Sequence, residues 1–362
     1  TTRNLYTASM EAAVKPVTLE LRRPGMMSNG KFEGLLHISS PRGLFSMVAT
    51  DQRGALRSML NPQSPASVSD EEIRRTKLSL IKNLVGRGSG GRATGVLVDP
   101  EYSFEKSFLR ACDIGANVGL LMGIESTGYG GRGEFAPEVG IFNGLEVDEA
   151  VRRIKQRGAA AVKMLIYYRV DGPTHKHQES MVRAVGGACE KYDIAFLLET
   201  LSHPLAGEPN KKKDPIAFAK IKPDIVVKTA AELTKPEYSI DVLKAEFPLE
   251  LKYVEQLGQD PAEACGMLDE VSETPWVVLS AAVDFSEFKE NVRHAAENGA
   301  SGFLGGRAIW KEAVGRNDMD KFLGTTGVSR LNELAEIVDK AARPWYAKYV
   351  HALSDVEVVR GE

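Results

Sequence analysis

A lysine interrupts an apolar run at residues 239–248, SIDVLKAEFP. Ile240, Val242, Leu243, Ala245 and Phe247 have the character of a short buried strand, with Lys244 in its middle. Lysine is seldom fully buried without a partner, and desolvating an ammonium disfavours its charged form. Two structural explanations are open: an exposed edge strand, or a pairing of Lys244 with Glu246 on the same face. The third is covalent chemistry. An amine that has lost its proton attacks a ketone, and the resulting Schiff base acts as an electron sink.

Other polar residues break or end apolar runs in the same way. Asp51 directly follows LFSMVAT, in ATDQRG; Lys163 interrupts AAVKMLIYY; Glu199 ends IAFLLET. Ser280 lies within PWVVLSAAV, and Gly305, Gly306 and Arg307 close the run SGFLGGR. Each has an ordinary alternative. Asp51 could cap a helix, Lys163 could snorkel outward, Glu199 could be a loop carboxylate, and Ser280 could be a small core residue. In one shared cavity, however, Lys163, Lys244, Glu199 and Asp51 would offset one another's charges, as buried charges require. A neighbouring ammonium and a dry pocket each lower the pKa of an amine, and Glu199 would be placed to move protons. The backbone amides of SGFLGGRAIW, with the Arg307 guanidinium, suit a phosphate.

Such a gathering needs a scaffold that brings strand ends together. Eight short apolar runs recur from about residue 44 onward: residues 44–50, 94–99, 118–124, 160–168, 194–200, 241–247, 275–283 and 301–306. Helix-like segments lie between them, among them EEIRRTKLSLIKNLVGRG (71–88), VDEAVRRIKQRGA (147–159) and FSEFKENVRHAAENGA (285–300). Strands alternating with amphipathic helices imply parallel strands with helical crossovers. Eight such units predict an α/β fold of the (β/α)₈ TIM-barrel type, whose active sites form at the C-terminal ends of the strands. A doubly wound open sheet is the alternative, weakened because no GxGxxG follows the first strand.

The barrel is expected over residues 44–345, with an N-terminal extension at 1–43 and a C-terminal tail at 346–362. In the extension, VTLELRRP reads as a short strand that closes the barrel bottom or reaches a partner subunit. SRLNELAEIVDKAARPWYAKYV (329–350) has helical spacing, with Pro344 set to kink or split it. GYGGRGEF (128–135) is a glycine-rich loop after the third strand without the Walker lysine spacing. KKK (211–213) reads as a solvated loop, or as a contact for an anionic substrate group.

Composition excludes several classes. With 43% hydrophobic and 26% charged residues the chain is an ordinary globular protein. A net charge of −3 gives no reason to expect nucleic acid or membrane as a partner. No apolar run approaches the roughly 20 residues of a membrane span. The N-terminus lacks a signal-peptide core, and Glu11 and Glu20 count against a transit peptide, so a cytoplasmic location is expected. Cys112, Cys189 and Cys265 are scattered without metal-ligand spacing and read as free thiols. His175 and His177 form an HxH pair in what reads as a polar loop, a poor metal site.

Taken in order, ATDQRGALRSML, AVKMLIYY, FLLET, DVLKAEFP, KYVE, WVVLSAAVD and GASGFLGGRAIW resemble the tagatose 1,6-bisphosphate aldolase family over roughly residues 40–345. PWVVLSAAVD and GASGFLGGRAIW are at least as similar to the related sulfofructosephosphate aldolases; DVLKAEFP and LKYVE lean towards the tagatose enzymes. The resemblance implies a class I, cofactor-free and metal-independent aldolase acting on a phosphorylated ketohexose. By motif match Lys244 would form the Schiff base, Glu199 would be the general acid/base, and Lys163 would polarise the site. Parity and burial alone do not separate the two lysines. Asp51 would contact the Schiff-base region, with Gln52 and Arg53 close by. Ser280, Gly306 and Arg307 would hold a phosphate, with Gly305 beside them. The alternatives are a sulfofructosephosphate aldolase and a non-catalytic sugar-phosphate-binding regulator. A homo-oligomer is expected from the habit of such barrels. The loop HPLAGEPNKKKD (203–214) follows Glu199, where the far end of the substrate is expected to lie.

Overall fold

The computed structural model describes residues 27–349, apart from residues 129, 132, 134 and 210–212, together with short strand segments near both termini. Each of the eight apolar runs forms one strand. They are β1 (Phe45–Ala49), β2 (Gly95–Val98), β3 (Gly119–Gly123), β4 (Ala161–Tyr167), β5 (Ala195–Leu201), β6 (Val242–Ala245), β7 (Trp276–Leu279) and β8 (Gly302–Gly305). All neighbours are parallel, and β8 pairs with β1 to close the barrel, which rules out the open sheet. The strands read as continuous apolar runs because both faces are covered, one by the barrel interior and one by helices. Closure is tight: a Cβ on Gly302, at φ 144°, would lie 1.9 Å from the Phe45 carbonyl oxygen, so only glycine fits there.

Helices α1 (Asn29–His37), α2 (Asp70–Val85), α3 (Val147–Gln156), α4 (His175–Lys191), α5 (Pro215–Leu233), α6 (Pro261–Val271), α7 (Phe285–Glu297) and α8 (Val328–Ala341) surround or floor the barrel. The start of α2 shows how the local sequence sets a boundary. Ser69 caps it by accepting the Glu72 amide at 3.2 Å, and Asp70, Glu71 and Glu72 complement the positive end of the helix dipole. Ile73, Leu80, Ile81 and Leu84 then bury against the sheet. Pro344 splits the 329–350 segment as expected: α8 stops at Ala341, and Trp345–Lys348 forms a separate turn of 3₁₀ helix.

The barrel floor is built by α1, a helix that the sequence reading of residues 1–43 did not identify. Leu35 and Ile38 bury beneath the strands with Trp345, whose ring meets Phe32 edge-on at 5.9 Å between centroids. A Cβ on Gly34 would lie 2.4 Å from the Ala160 carbonyl oxygen, so α1 approaches the strand ends closely. Lys31 is buried and pairs with Asp241 at 3.1 Å. Val17–Leu19, inside the expected VTLELRRP strand, pairs antiparallel with Tyr6–Thr7 and with Val358–Arg360. The three cysteines are free and buried; desolvation pushes the Cys112 thiol up to about 12. No helix among the described residues is long and apolar enough to cross a membrane.

Strand parity decides what enters the barrel. Phe45, Met47, Ala49, Leu97, Leu121, Ala161, Leu197, Val242, Val277 and Leu304 form one interior cluster. Side chains alternate along a strand, so Lys163 follows Ala161 inward, Glu199 follows Leu197, and Lys244 follows Val242. Two residues past the ends of β1 and β3, Asp51 and Glu125 share the inward parity of Ala49 and Gly123.

Candidate active site

Lys244 and Glu199 are register partners on adjacent strands, and Lys163 sits one layer deeper, opposite Leu197. Glu199 Oε2 lies 2.9 Å from Lys244 Nζ and 2.7 Å from Lys163 Nζ, so one oxygen bridges both ammoniums. Lys163 also meets Asp51 Oδ2 at 2.8 Å and Glu125 Oε1 at 2.9 Å. Outward snorkelling of Lys163 is excluded, since its exposure is 0%. The pairing of Lys244 with Glu246 is excluded as well: Glu246 instead accepts the Ser202 amide at 2.6 Å.

Electrostatics separate the two lysines. Burial opposes the charge on Lys163, but Asp51, Glu125 and Glu199 outweigh it and hold its pKa well above the ordinary lysine value. Burial would likewise raise the Asp51 carboxyl, yet Lys163, Lys244 and Lys77 together hold it well below the usual carboxylate range. Lys163 is therefore a fixed cation beneath the site. Among the described residues Lys244 has a single carboxylate contact, and it lines the cavity, which Lys163 does not.

The cavity opens at the C-terminal end of the strands, with a volume of about 320 Å³. Asp51, Gln52, Arg53, Glu125, Glu199, Lys244, Ser280, Gly306 and Arg307 all reach its wall. Gly305, expected beside the phosphate, does not line the cavity: it faces α7, where a Cβ would meet the Phe288 ring at 2.7 Å. On the β7–β8 side, the Gly306 amide donates to Ser280 Oγ at 3.4 Å, and a Cβ on Gly306 would approach Gln52 Nε2 to 3.0 Å. Bare backbone, a hydroxyl, an amide side chain and the Arg307 guanidinium thus converge, as an anionic group requires. Arg53 stands on the opposite side, donating to the Glu125 carbonyl at 3.0 Å and lying 3.8 Å from its carboxylate.

The sequence reading missed Glu125. Glu125 directly follows the run 118–124 as Asp51 follows 44–50, and the inward parity that marks Asp51 marks it too. None of the described residues of the loop 203–214 lines the cavity; Glu208 in that loop pairs with Arg169, and Lys211 and Lys212 lie outside the described residues. The glycine-rich stretch instead contributes a hairpin, Gly130–Gly131 against Pro137–Glu138, whose base reaches the cavity at Thr127, Gly128 and Val139. His175 and His177 are not in a loop but in the first turn of α4. His175 donates to the Gly172 carbonyl at 2.7 Å, and His177 anchors the hairpin at the Val139 carbonyl at 2.9 Å.

The chain matches the DeoC/LacD family aldolase model over residues 45–312. It is 32% identical over 342 residues to a tagatose 1,6-diphosphate aldolase of Enterococcus faecalis, covering 89% of this chain and 97% of that one. It is 33% identical over 341 residues to a tagatose 1,6-diphosphate aldolase of Lactococcus lactis, covering 89% and 99%. Among solved structures, a fructose-bisphosphate aldolase of Plasmodium falciparum shares the fold with a TM-score of 0.60 at 12% identity, covering 88% of this chain and 98% of that one. A Schiff-base-forming fructose-1,6-bisphosphate aldolase does so with a TM-score of 0.54 at 19% identity, covering 84% and 98%. The family match across the barrel, joined to relatives aligned over nearly their whole length, makes this chain a member of the DeoC/LacD aldolase family.

Proposed function

We propose that the protein is a class I aldolase that reversibly cleaves tagatose 1,6-bisphosphate, and with looser C4 stereochemistry fructose 1,6-bisphosphate, to dihydroxyacetone phosphate and glyceraldehyde 3-phosphate. One observation carries the reading: Lys244 faces the cavity with one carboxylate contact, while Lys163 beneath it is tied to three. The deeper lysine keeps its proton and the upper one is left to react.

The Lys244 amine attacks the C2 carbonyl, and loss of water from the carbinolamine gives an iminium. Glu199 accepts the C4 hydroxyl proton as the C3–C4 bond breaks, its electrons flowing into the iminium to leave an enamine. The aldehyde departs, C3 of the enamine is protonated, and water releases the ketone from Lys244. Lys163, held by Asp51 and Glu125, keeps a positive charge beside Glu199 through the cycle. Ser280, Gly306, Arg307 and Gln52 hold the phosphate of the dihydroxyacetone half, leaving Arg53 on the aldehyde side. The names carried by the relatives favour the bisphosphate over a sulfonated ketose or a non-catalytic binder. The protein is taken to act in the cytoplasm as a homo-oligomer, which light scattering coupled to size exclusion checks.

Incubation with dihydroxyacetone phosphate and EDTA, followed by borohydride, tests the reading by peptide mapping. A reduced three-carbon adduct on Lys244 is expected. An adduct on Lys163 would reverse the two roles, and no adduct would overturn the Schiff-base reading.

A further inference from the structure

Lys77 is a buried cation that the chemistry above leaves without a task. It projects inward from α2 with an exposure of 0%, and its Nζ lies 2.7 Å from Asp99 Oδ2 just past the end of β2. It also donates to the Thr50 carbonyl at 2.5 Å and to the Gln52 carbonyl at 2.8 Å. Those carbonyls stand on either side of Asp51. Asp99 in turn accepts the amides of Glu101 at 2.9 Å and Tyr102 at 2.6 Å and the Ser103 hydroxyl at 3.1 Å. It thereby orders the loop whose Glu101 carboxylate lies 4.0 Å from Arg53.

A fully buried ion pair is a weak source of stability, since desolvation offsets most of its attraction. Its placement here is better explained by what it holds. A turn between a strand and a helix has few internal hydrogen bonds to set its peptide orientation, and Asp51 must leave that turn aimed at Lys163. Three donor directions of one ammonium, spent on two flanking carbonyls and Asp99, set both peptide units at once.

We propose that Lys77 is a positioning residue of the aldolase reaction. By gripping the carbonyls of Thr50 and Gln52 it points Asp51 at Lys163, with Asp99 fixing the ammonium between them. The proposal rests on the aldolase reading of the Lys244 site. If the turn relaxes, Lys163 loses one of its three carboxylates and pulls harder on Glu199, whose shared oxygen then moves away from Lys244.

The test is the double variant Lys77→Met/Asp99→Asn, in which neither charge is left buried alone and the Asp99→Asn change keeps a side-chain oxygen for the loop amides. It is compared with Asp51→Asn and with all three changes combined. Circular dichroism melts are expected to show the double variant folded, with kcat for bisphosphate cleavage down about 100-fold, the scale of a small misplacement of reacting groups, and KM nearly unchanged. Added to Asp51→Asn, the two changes should cause little further loss, because they act through the same carboxylate. A folded double variant with wild-type kcat would overturn the proposal. So would a raised KM alone, or losses that multiply independently with Asp51→Asn. Borohydride trapping of the unaltered protein, run alongside, separates the two readings: an untrapped wild type removes the aldolase reading and this proposal with it, whereas a trapped wild type leaves the variants to judge Lys77.

Discussion

At the residue scale, the site is a balance of charges in which each member sets the state of the next. Lys163, Lys244 and Arg53 face Asp51, Glu125 and Glu199, and no member lies far from an opposite charge. Asp51 illustrates the consequence for pH. Its carboxyl is held below its ordinary value of 3.8, so the folded state binds that proton more weakly than the unfolded chain does. The stability this contributes is present above the ordinary value and is lost as pH falls through it towards the folded-state value. Urea unfolding midpoints measured down the acid range should therefore fall more steeply for the wild type than for Asp51→Asn. Parallel slopes for the two proteins would show that Asp51 is not held ionised by its lysines.

At the element scale, the turn after β7 is the most strained part of the site. Ala281 and Ala282 both adopt left-handed backbone, at φ 42° and 63°, a conformation that alanine rarely takes. Such strain persists only where the surroundings over-determine it. Lys311, beyond β8, supplies the restraint by donating to the carbonyls of Ala282 and Val283 at 3.3 Å and to Asp284 Oδ1 at 2.6 Å. The turn carries Ser280 and Ala281 to the cavity wall beside Gly306. Lys311→Met should let it relax and raise the KM for dihydroxyacetone phosphate in the condensation direction by roughly 10-fold, the equivalent of one charge-assisted hydrogen bond, with kcat changed less. Steady-state kinetics read the split; a lower kcat at constant KM would count against the turn as a phosphate-binding element.

At the scale of the whole molecule, stability and chemistry occupy opposite ends of the barrel. The floor joins α1 to the segment after α8 through Trp345, which is fully buried, donates to Ser39 Oγ at 3.2 Å and meets Phe32, Tyr346 and Tyr349 edge-on. Trp345→Ala should lower the unfolding free energy by about 3–5 kcal/mol, as for other large buried aromatics. The surviving folded fraction should keep its kcat. Urea titration and active-site counting by borohydride trapping measure the two effects separately, and a fall in kcat per trapped site would show that floor and site are coupled.

The eight strands and the inward lysines were legible in the sequence because each depends on a local rule. Buried parallel strands need unbroken apolar runs, and a polar residue of the inward parity within such a run has nowhere to go but the barrel interior. That rule reaches Lys163, Glu199 and Lys244, and it reaches Asp51 where the run stops cleanly. It reaches Glu125 equally, which follows the run 118–124 as Asp51 follows 44–50; what the run does not show is that this carboxylate meets Lys163. What no local rule carries is pairing at a distance. Periodicity placed Lys77 only on a helix, and the braces it makes to Thr50, Gln52 and Asp99 exist only once α2 packs over the first two strands. The same holds for α1, whose nine residues carry a weak amphipathic pattern and become a floor only when the barrel ends are there to receive them. The contrast between the two lysines also waited on the fold, since both are inward and buried. Lys163 meets three carboxylates and Lys244 one, a difference set by which strand ends the closed ring makes neighbours.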